Sequence, residues 1–347
     1  MRDVQFMMEF KRELLNDLTI CIFTLNRKLE LERLVNYLKT SGAKVVILDA
    51  SSEPISLDHA YDFKYIHVPN MPLQARLSKF SELVTTKYIL LSPDDDFWAL
   101  NGLIETVRFL DSNSDYASAQ GLRTRFFDFP FFHWIPDYVN QMELNYTQNN
   151  KIERLFDMAT GMHYIYSVIH LNEFVKITNC IKNINSISRN SLAMNELIFN
   201  YTLPILGKHR VLPVFYSARK SHPFEASDVD FDQWVNDKTD IEAIKFRKNI
   251  VEFYRKELDI SEPEAISVFQ QLTTEFTRSK LVPVEKFKGI KKHLRIIVTG
   301  TRLRVFRKIS KIKYLFFYKL LFVNKTFFIF IRDNVHIKRF LNKNRIN

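Results

Sequence analysis

Three consecutive aspartates, Asp94, Asp95 and Asp96, follow an apolar run at residues 87–91. Carboxylates this close repel one another, and at the end of a buried segment little water screens that repulsion. A cation would relieve it, and hard oxygen donors suit Mg2+ or Mn2+. In extended backbone Asp94 and Asp96 project to one side and can share one ion or its waters. Mg2+ keeps only one or two protein carboxylates and completes its shell with water and phosphate. A diphosphate leaving group would supply the phosphate, with the metal acting on it as a Lewis acid. A plainer reading competes: the three acids cap and solvate the N-terminus of the helix that follows Trp98.

Two more polar segments follow apolar runs, Thr24-Leu25-Asn26-Arg27 and Asp49-Ala50-Ser51-Ser52. Thr24 and Asn26 are candidates to bond a nucleotide base, or else caps for a helix beginning near Lys28. Asp49 is a candidate acceptor for a base or ribose, or else a turn-forming aspartate ahead of Ser51 and Ser52. The chain has neither G-x-G-x-x-G nor G-x-x-x-x-G-K-[ST], so a dinucleotide fingerprint and a P-loop are both excluded.

These residues must be positioned by regular elements, and the first third of the chain alternates strand-like and helix-like patterns. Residues 18–23, 44–48, 63–68 and 87–91 predict strands. Residues 28–40, with Leu31, Leu34, Val35 and Leu38 on one face, predict a helix, as do residues 73–84 and 101–110. A further strand is predicted at 116–120. Such alternation implies a parallel sheet covered on both faces, with ligands outside the carboxyl ends of the strands. Residues 124–146 are rich in aromatic residues, proline and aspartate without a period, as in a long functional loop or an acceptor-facing insertion. Beyond them, 191–206 predicts a helix ending near Gly207, 211–216 a strand, and 240–258 and 262–278 two charged amphipathic helices.

The 46% hydrophobic content supports a packed core, and the two cysteines, Cys21 and Cys180, lack metal or disulfide spacing, as suits a reducing compartment. With no secretory signal pattern, the expected location is the cytoplasm. Net charge is +11 but uneven: residues 286–347 carry 18 Lys and Arg against the single acid Asp333, and the rest of the chain is net acidic. From 302 to 316, Val305, Phe306, Ile309, Ile312 and Phe316 share a helical face opposite Arg304, Arg307, Lys308 and Lys311. That pattern predicts an interfacial helix lying on a membrane, or else an apolar face docked on the main domain.

In order and spacing, three segments resemble family 2 glycosyltransferases: residues 18–27 their opening strand and T-x-N-R turn, 45–51 their second strand, and 88–97 their D-x-D segment. The stretch to Gly121 looks like a bacterial subgroup associated with surface polysaccharides. The resemblance implies an α/β fold of the GT-A (Rossmann-like) type, a mostly parallel sheet flanked by helices, here with a C-terminal helical extension. It implies a nucleotide-sugar donor, UDP-sugar foremost, a glycan or lipid-linked glycan acceptor, and Mg2+ or Mn2+. Thr24, Asn26, Arg27 and Asp49 would meet the nucleotide, Asp94 and Asp95 the diphosphate, and Asp94 with Asp96 the metal. Arg76 would contact the donor, unless it lies on a solvated helix face. Glu196, in Met194-Asn195-Glu196, takes the position of the base that deprotonates the acceptor in an inverting transfer, with Asn195 replacing the family's usual first acid. His222 would complete the metal shell, unless it is a loop histidine; His163 is a weaker candidate. Arg219 and Lys220 would steer a diphosphate.

The expected organisation is a transferase domain at 1–220 (donor half 18–121, acceptor half 122–220), a helical extension at 221–285 and a basic tail at 286–347. Membrane contact through the tail would place the enzyme peripherally on the inner face of the cell membrane. The competing enzyme reading, a sugar-phosphate nucleotidyltransferase, wants a glycine-rich loop after the first strand that Thr24 to Lys28 lacks. A nucleic-acid-binding protein acting through the tail is the non-enzyme alternative; the acidic main domain argues against it, and no nucleic-acid partner is expected.

Overall fold

The computed structural model describes residues 15–39, 41–57, 63–126, 135–137, 141–159, 164–182, 184, 191–220 and 231–281. Its first part follows the predicted alternation. Strands β1 (Leu18–Thr24), β2 (Lys44–Asp49), β3 (Phe63–His67) and β4 (Tyr88–Pro93) run parallel in the order β3-β2-β1-β4. Helices α1 (Lys28–Leu38), α2 (Leu73–Leu83) and, after the short β5 (Phe97–Trp98), α3 (Leu100–Ser112) connect them to the rest of the sheet. Leu18, Ile20, Cys21 and Ile22 of β1 and Tyr88, Ile89 and Leu90 of β4 are fully buried. Strands covered on both faces read as unbroken apolar runs, which is why these segments were legible.

The second part departs from expectation, because the sheet is mixed rather than mostly parallel. Beyond β4 the order continues β8-β6-β9-β5, formed by β6 (Tyr116–Phe126), β8 (Val168–His170) and β9 (Lys208–Lys220) with β5 at the edge; β7 (Ile135–Pro136) pairs with β6 off this path. β8 runs antiparallel to both β4 and β6, and β5 antiparallel to β9, while β6 and β9 are parallel. The insertion of β8 makes the difference. It is three residues long and leads directly into a helix, too short for any pattern to announce its partner or direction.

Helix α3 can approach β9 only because Gly102 has no side chain: a Cβ there would lie 2.2 Å from the Phe215 carbonyl oxygen. That approach holds the end of β9 beside β5 and so beside the aspartates.

Helices α4 (Lys151–Ala159), α5 (Leu171–Asn179) and α6 (Ser191–Leu206) pack together, and α7 (Phe231–Asn236), α8 (Ile241–Leu258) and α9 (Glu262–Leu281) continue the chain. Asp240 caps α8 by accepting from the Glu242 and Ala243 N–H groups at 2.8 and 2.9 Å. The extension lies against the preceding helices: Tyr254 donates to the Tyr201 carbonyl at 3.1 Å and Asn249 to that of Cys180 at 2.7 Å. Among the described residues no helix is long and apolar enough to cross a membrane. The basic tail at 286–347 lies outside them.

Candidate functional site

Parallel pairing brings three carboxyl ends together. Thr24 of β1 is level with Asp49 of β2, and Phe23 is level with Pro93 of β4. Pro93 closes β4, the chain turns at Asp94 and Asp95, and β5 begins at Phe97. All three aspartates are buried, at 2, 4 and 3% exposure.

The turn sends their side chains in different directions. Asp94 accepts from the Thr24 hydroxyl at 2.7 Å and from Arg27 Nη1 at 2.9 Å, and Asp95 pairs with Arg27 Nη2 at 2.5 Å. Asp96 accepts instead from the main-chain N–H of Lys220, at 3.0 Å. An extended segment with Asp94 and Asp96 on one side is therefore not what forms. Nor do the acids cap the following helix: α3 starts after Ala99, which makes no side-chain cap bond.

Burial raises the pKa of Asp94 to about 7, with Thr24 and Arg27 pulling it down and Asp95 pushing it up. Burial, then Asp95, raises Asp96, against the pull of Arg219 and Arg123. Both carboxylates are thus costly to keep ionised without a partner cation, chiefly because burial strips their water. Arg27 meets part of that need: burial lowers its pKa, Asp94 and Asp95 raise it, and the net shift is upward.

On the β1–β2 side, Asn26 has a left-handed backbone (φ 55°), a conformation asparagine tolerates better than most residues. Its N–H donates to Ser51 Oγ at 2.7 Å, and its side-chain oxygen accepts from the Ser52 N–H at 3.4 Å. Arg27, not Thr24 or Asn26, stands at the N-cap of α1, and it makes no side-chain cap bond. Asp49 is fully buried. Its carboxylate accepts from Ser51 N and Oγ at 2.9 and 2.5 Å, from the Tyr65 hydroxyl at 2.5 Å and from Ile55 N at 3.2 Å. Burial pushes Asp49 up, but these bonds bring it below its ordinary value. These bonds tie the carboxylate to the loop after β2.

Arg76 is not on a solvated helix face. It is 7% exposed and donates Nη1 to the Thr24 carbonyl at 3.0 Å, which fixes the end of β1 from beneath. Burial lowers its pKa to about 10, while Asp49 and Asp94 act to raise it.

Several residues that pattern reading did not single out complete the surroundings. Glu30 pairs with Lys220 Nζ at 3.5 Å and lies 4.0 Å from Arg27. Arg123, 1% exposed, pairs with Asp137 at 3.2 Å and lies over the Tyr166 ring; Arg125 also pairs with Asp137. Two arginines two apart in a buried strand were the available signal, since inward charges there need a partner. Arg219, expected from the sequence to steer a diphosphate together with Lys220, faces Asp96 and Asp137 electrostatically.

Glu196 lies in α6, but its side chain is outside the described residues, as are His222 and His163.

The residues present fit a hard divalent cation in donor chemistry: all are carboxylate oxygens, and two already converge on one cationic group, Arg27. Among the described residues no three His, Cys, Asp or Glu side chains are grouped to hold a metal. Two carboxylates are enough for Mg2+ when a diphosphate supplies other ligands.

No family model matches the sequence, and no curated protein does. Among solved structures, S. aureus TarS aligns with a TM-score of 0.46 and 12% identity over 82% of this chain, which spans about half (46%) of that protein. The 1–349 form of TarS in complex with UDP-GlcNAc aligns at 0.48 and 13% identity, over 82% of this chain and 76% of that one. The same form with UDP gives 0.46 and 13%, over 82% and 75%. Likeness at this level does not bear on activity, and the functional reading rests on the chain's own residues.

Proposed function

We propose that this chain is a glycosyltransferase that moves a sugar from a nucleoside-diphosphate sugar to a hydroxyl acceptor, with a divalent metal. The observation that carries the reading is one bonded cluster at the carboxyl ends of adjacent parallel strands: Thr24, Arg27, Asp94 and Asp95. This is where an α/β sheet binds ligands, and the residues are those of the segments that resemble family 2 glycosyltransferases.

In this reading the nucleoside lies against the loops that Asn26 and Ser51 tie together, and Arg76 keeps the end of β1 in place beneath it. Arg27 faces the diphosphate. Asp94 and Asp95 hold the metal, with Asp94 common to this set and to the sequence-derived one; Asp96 supports the turn from its bond to Lys220. A divalent cation held by Asp94 and Asp95 would supply Lewis-acid stabilisation of the departing diphosphate. The acceptor hydroxyl attacks the anomeric carbon from the face opposite the diphosphate as that bond breaks, which inverts the centre, and Glu196 takes the hydroxyl proton. A glycan or lipid-linked glycan serves as acceptor, in bacterial surface-glycan synthesis, and the basic tail holds the enzyme on an anionic membrane.

The test is calorimetry with UDP, GDP, CDP and CMP, with and without Mn2+, on the wild type and Asp94→Asn. The reading predicts metal-dependent binding of one nucleoside diphosphate, lost in the variant. Absence of nucleotide binding in every condition sinks it.

A further inference from the structure

Arg27 and a divalent metal compete for the same two oxygens. The guanidinium takes Asp94 Oδ1 at 2.9 Å and Asp95 Oδ2 at 2.5 Å. Asp94 Oδ2 is engaged from the other side by the Thr24 hydroxyl at 2.7 Å. The acids are nearly inaccessible, at 3 and 4% side-chain exposure, whereas the Arg27 side chain bonded to them is 33% exposed. A cation arriving from solvent to bridge Asp94 and Asp95 has to displace this side chain. The turn that carries Arg27 is itself anchored, since Asn26 is bonded to Ser51 and Ser52. The guanidinium can therefore leave by side-chain rotation with the backbone in place.

We infer that Arg27 is a resident counter-cation that exchanges for the metal: in the empty site it neutralises Asp94 and Asp95, and when the metal enters with a diphosphate it turns to the diphosphate oxygens. The inference rests on the glycosyltransferase reading and deepens it. Both states keep the charges paired. With the metal alone, Arg27 gives up two carboxylate bonds and keeps only Glu30, 4.0 Å away, so binding is weak. With metal and diphosphate together, it exchanges those bonds for a fork on phosphate, the geometry that suits a guanidinium. Metal and nucleotide must then strengthen each other's binding, by reciprocal linkage.

The test measures Mn2+ binding to the full chain by electron paramagnetic resonance, alone and with UDP, GDP or CDP, for the wild type, Arg27→Gln and Arg27→Lys. The expected result is that Arg27→Gln binds Mn2+ alone at least about tenfold more tightly than the wild type. The factor by which the nucleotide tightens Mn2+ should fall toward one. Arg27→Lys, which keeps a charge near the acids without the fork, should fall between and guards against a Gln variant that folds poorly. If either folded variant binds Mn2+ alone no more tightly than the wild type, while the wild type still binds Mn2+ with nucleotide, the exchange is wrong and the glycosyltransferase reading stands. If the wild type binds Mn2+ with none of the nucleotides, both fall together.

Discussion

Asp96 accepts a hydrogen bond from the main-chain N–H of Lys220 at 3.0 Å, joining the turn after β4 to the end of β9 across 124 residues. The other two aspartates, Asp94 and Asp95, point at Arg27 instead. The three acids therefore have separable roles. Asp95→Asn should weaken Mn2+-dependent nucleotide binding about tenfold or more, whereas Asp96→Asn should change it by about threefold or less. Calorimetry on both variants decides, and equal losses would mean that Asp96 also reaches the metal.

The same residue has a pH signature. Burial holds Asp96 protonated well above the ordinary carboxylate value of 3.8, to about 8. The folded chain then binds a proton that the unfolded chain has released, so this group's stabilising contribution is lost as pH rises from about 4 through about 8. Asn is a neutral stand-in that can still accept from Lys220. Relative to the wild type, Asp96→Asn should gain stability between pH 5 and pH 8, measured by urea unfolding at each pH.

Tyr65 tests what Asp49 does. Its hydroxyl donates to the buried carboxylate at 2.5 Å, and burial together with Asp49 raises its pKa, so it remains a donor at ordinary pH. Tyr65→Phe should cost about 1.5–3 kcal/mol, the range for hydrogen bonds to charged groups, seen as a lower urea midpoint with an unchanged m value. If Asp49 instead serves the nucleotide directly, affinity will fall while the midpoint stays.

His209 is fully buried, with Nδ1 2.7 Å from the Ser118 hydroxyl, and burial lowers its pKa from 6.5 to about 3. The unfolded chain takes up a proton below pH 6.5 that the folded chain refuses, so acid favours unfolding through this group. From pH 6.5 to pH 5 it should remove about 2 kcal/mol of stability. His209→Gln should flatten that slope, and an unchanged slope would mean that the imidazole is not held neutral.

The tail calls for a charge test in the full chain. Replacing Arg304, Arg307, Lys308 and Lys311 by Gln should weaken binding to anionic vesicles by about 4 kcal/mol, at roughly 1 kcal/mol per charge. Nucleotide affinity should stay the same. Cosedimentation with anionic and with neutral vesicles reads the effect, and unchanged sedimentation would leave the tail's apolar face to a protein surface.

Features that depend on neighbours along the chain can be read from its residues alone. The apolar runs set β1, β2 and β4, helical periodicity set α1, α2 and α8 to within a few residues, and Asp94 to Asp96 stand at a strand end as expected. Burial on both faces of a strand and on one face of a helix writes a local pattern that can be counted. Thr24, Asn26, Arg27, Asp49 and Asp94 could be placed near one another for the same reason, since consecutive parallel strands bring their carboxyl ends together. Which atoms meet depends instead on how distant segments pack. The three residues of β8 carry no signal for entering antiparallel between β4 and β6, and nothing near Arg76 shows that it is buried beneath Thr24. The division of three adjacent acids between Arg27 and Lys220 likewise depends on a turn and on a strand 124 residues away. Such contacts are selected by the packing of distant segments, and no local period records them.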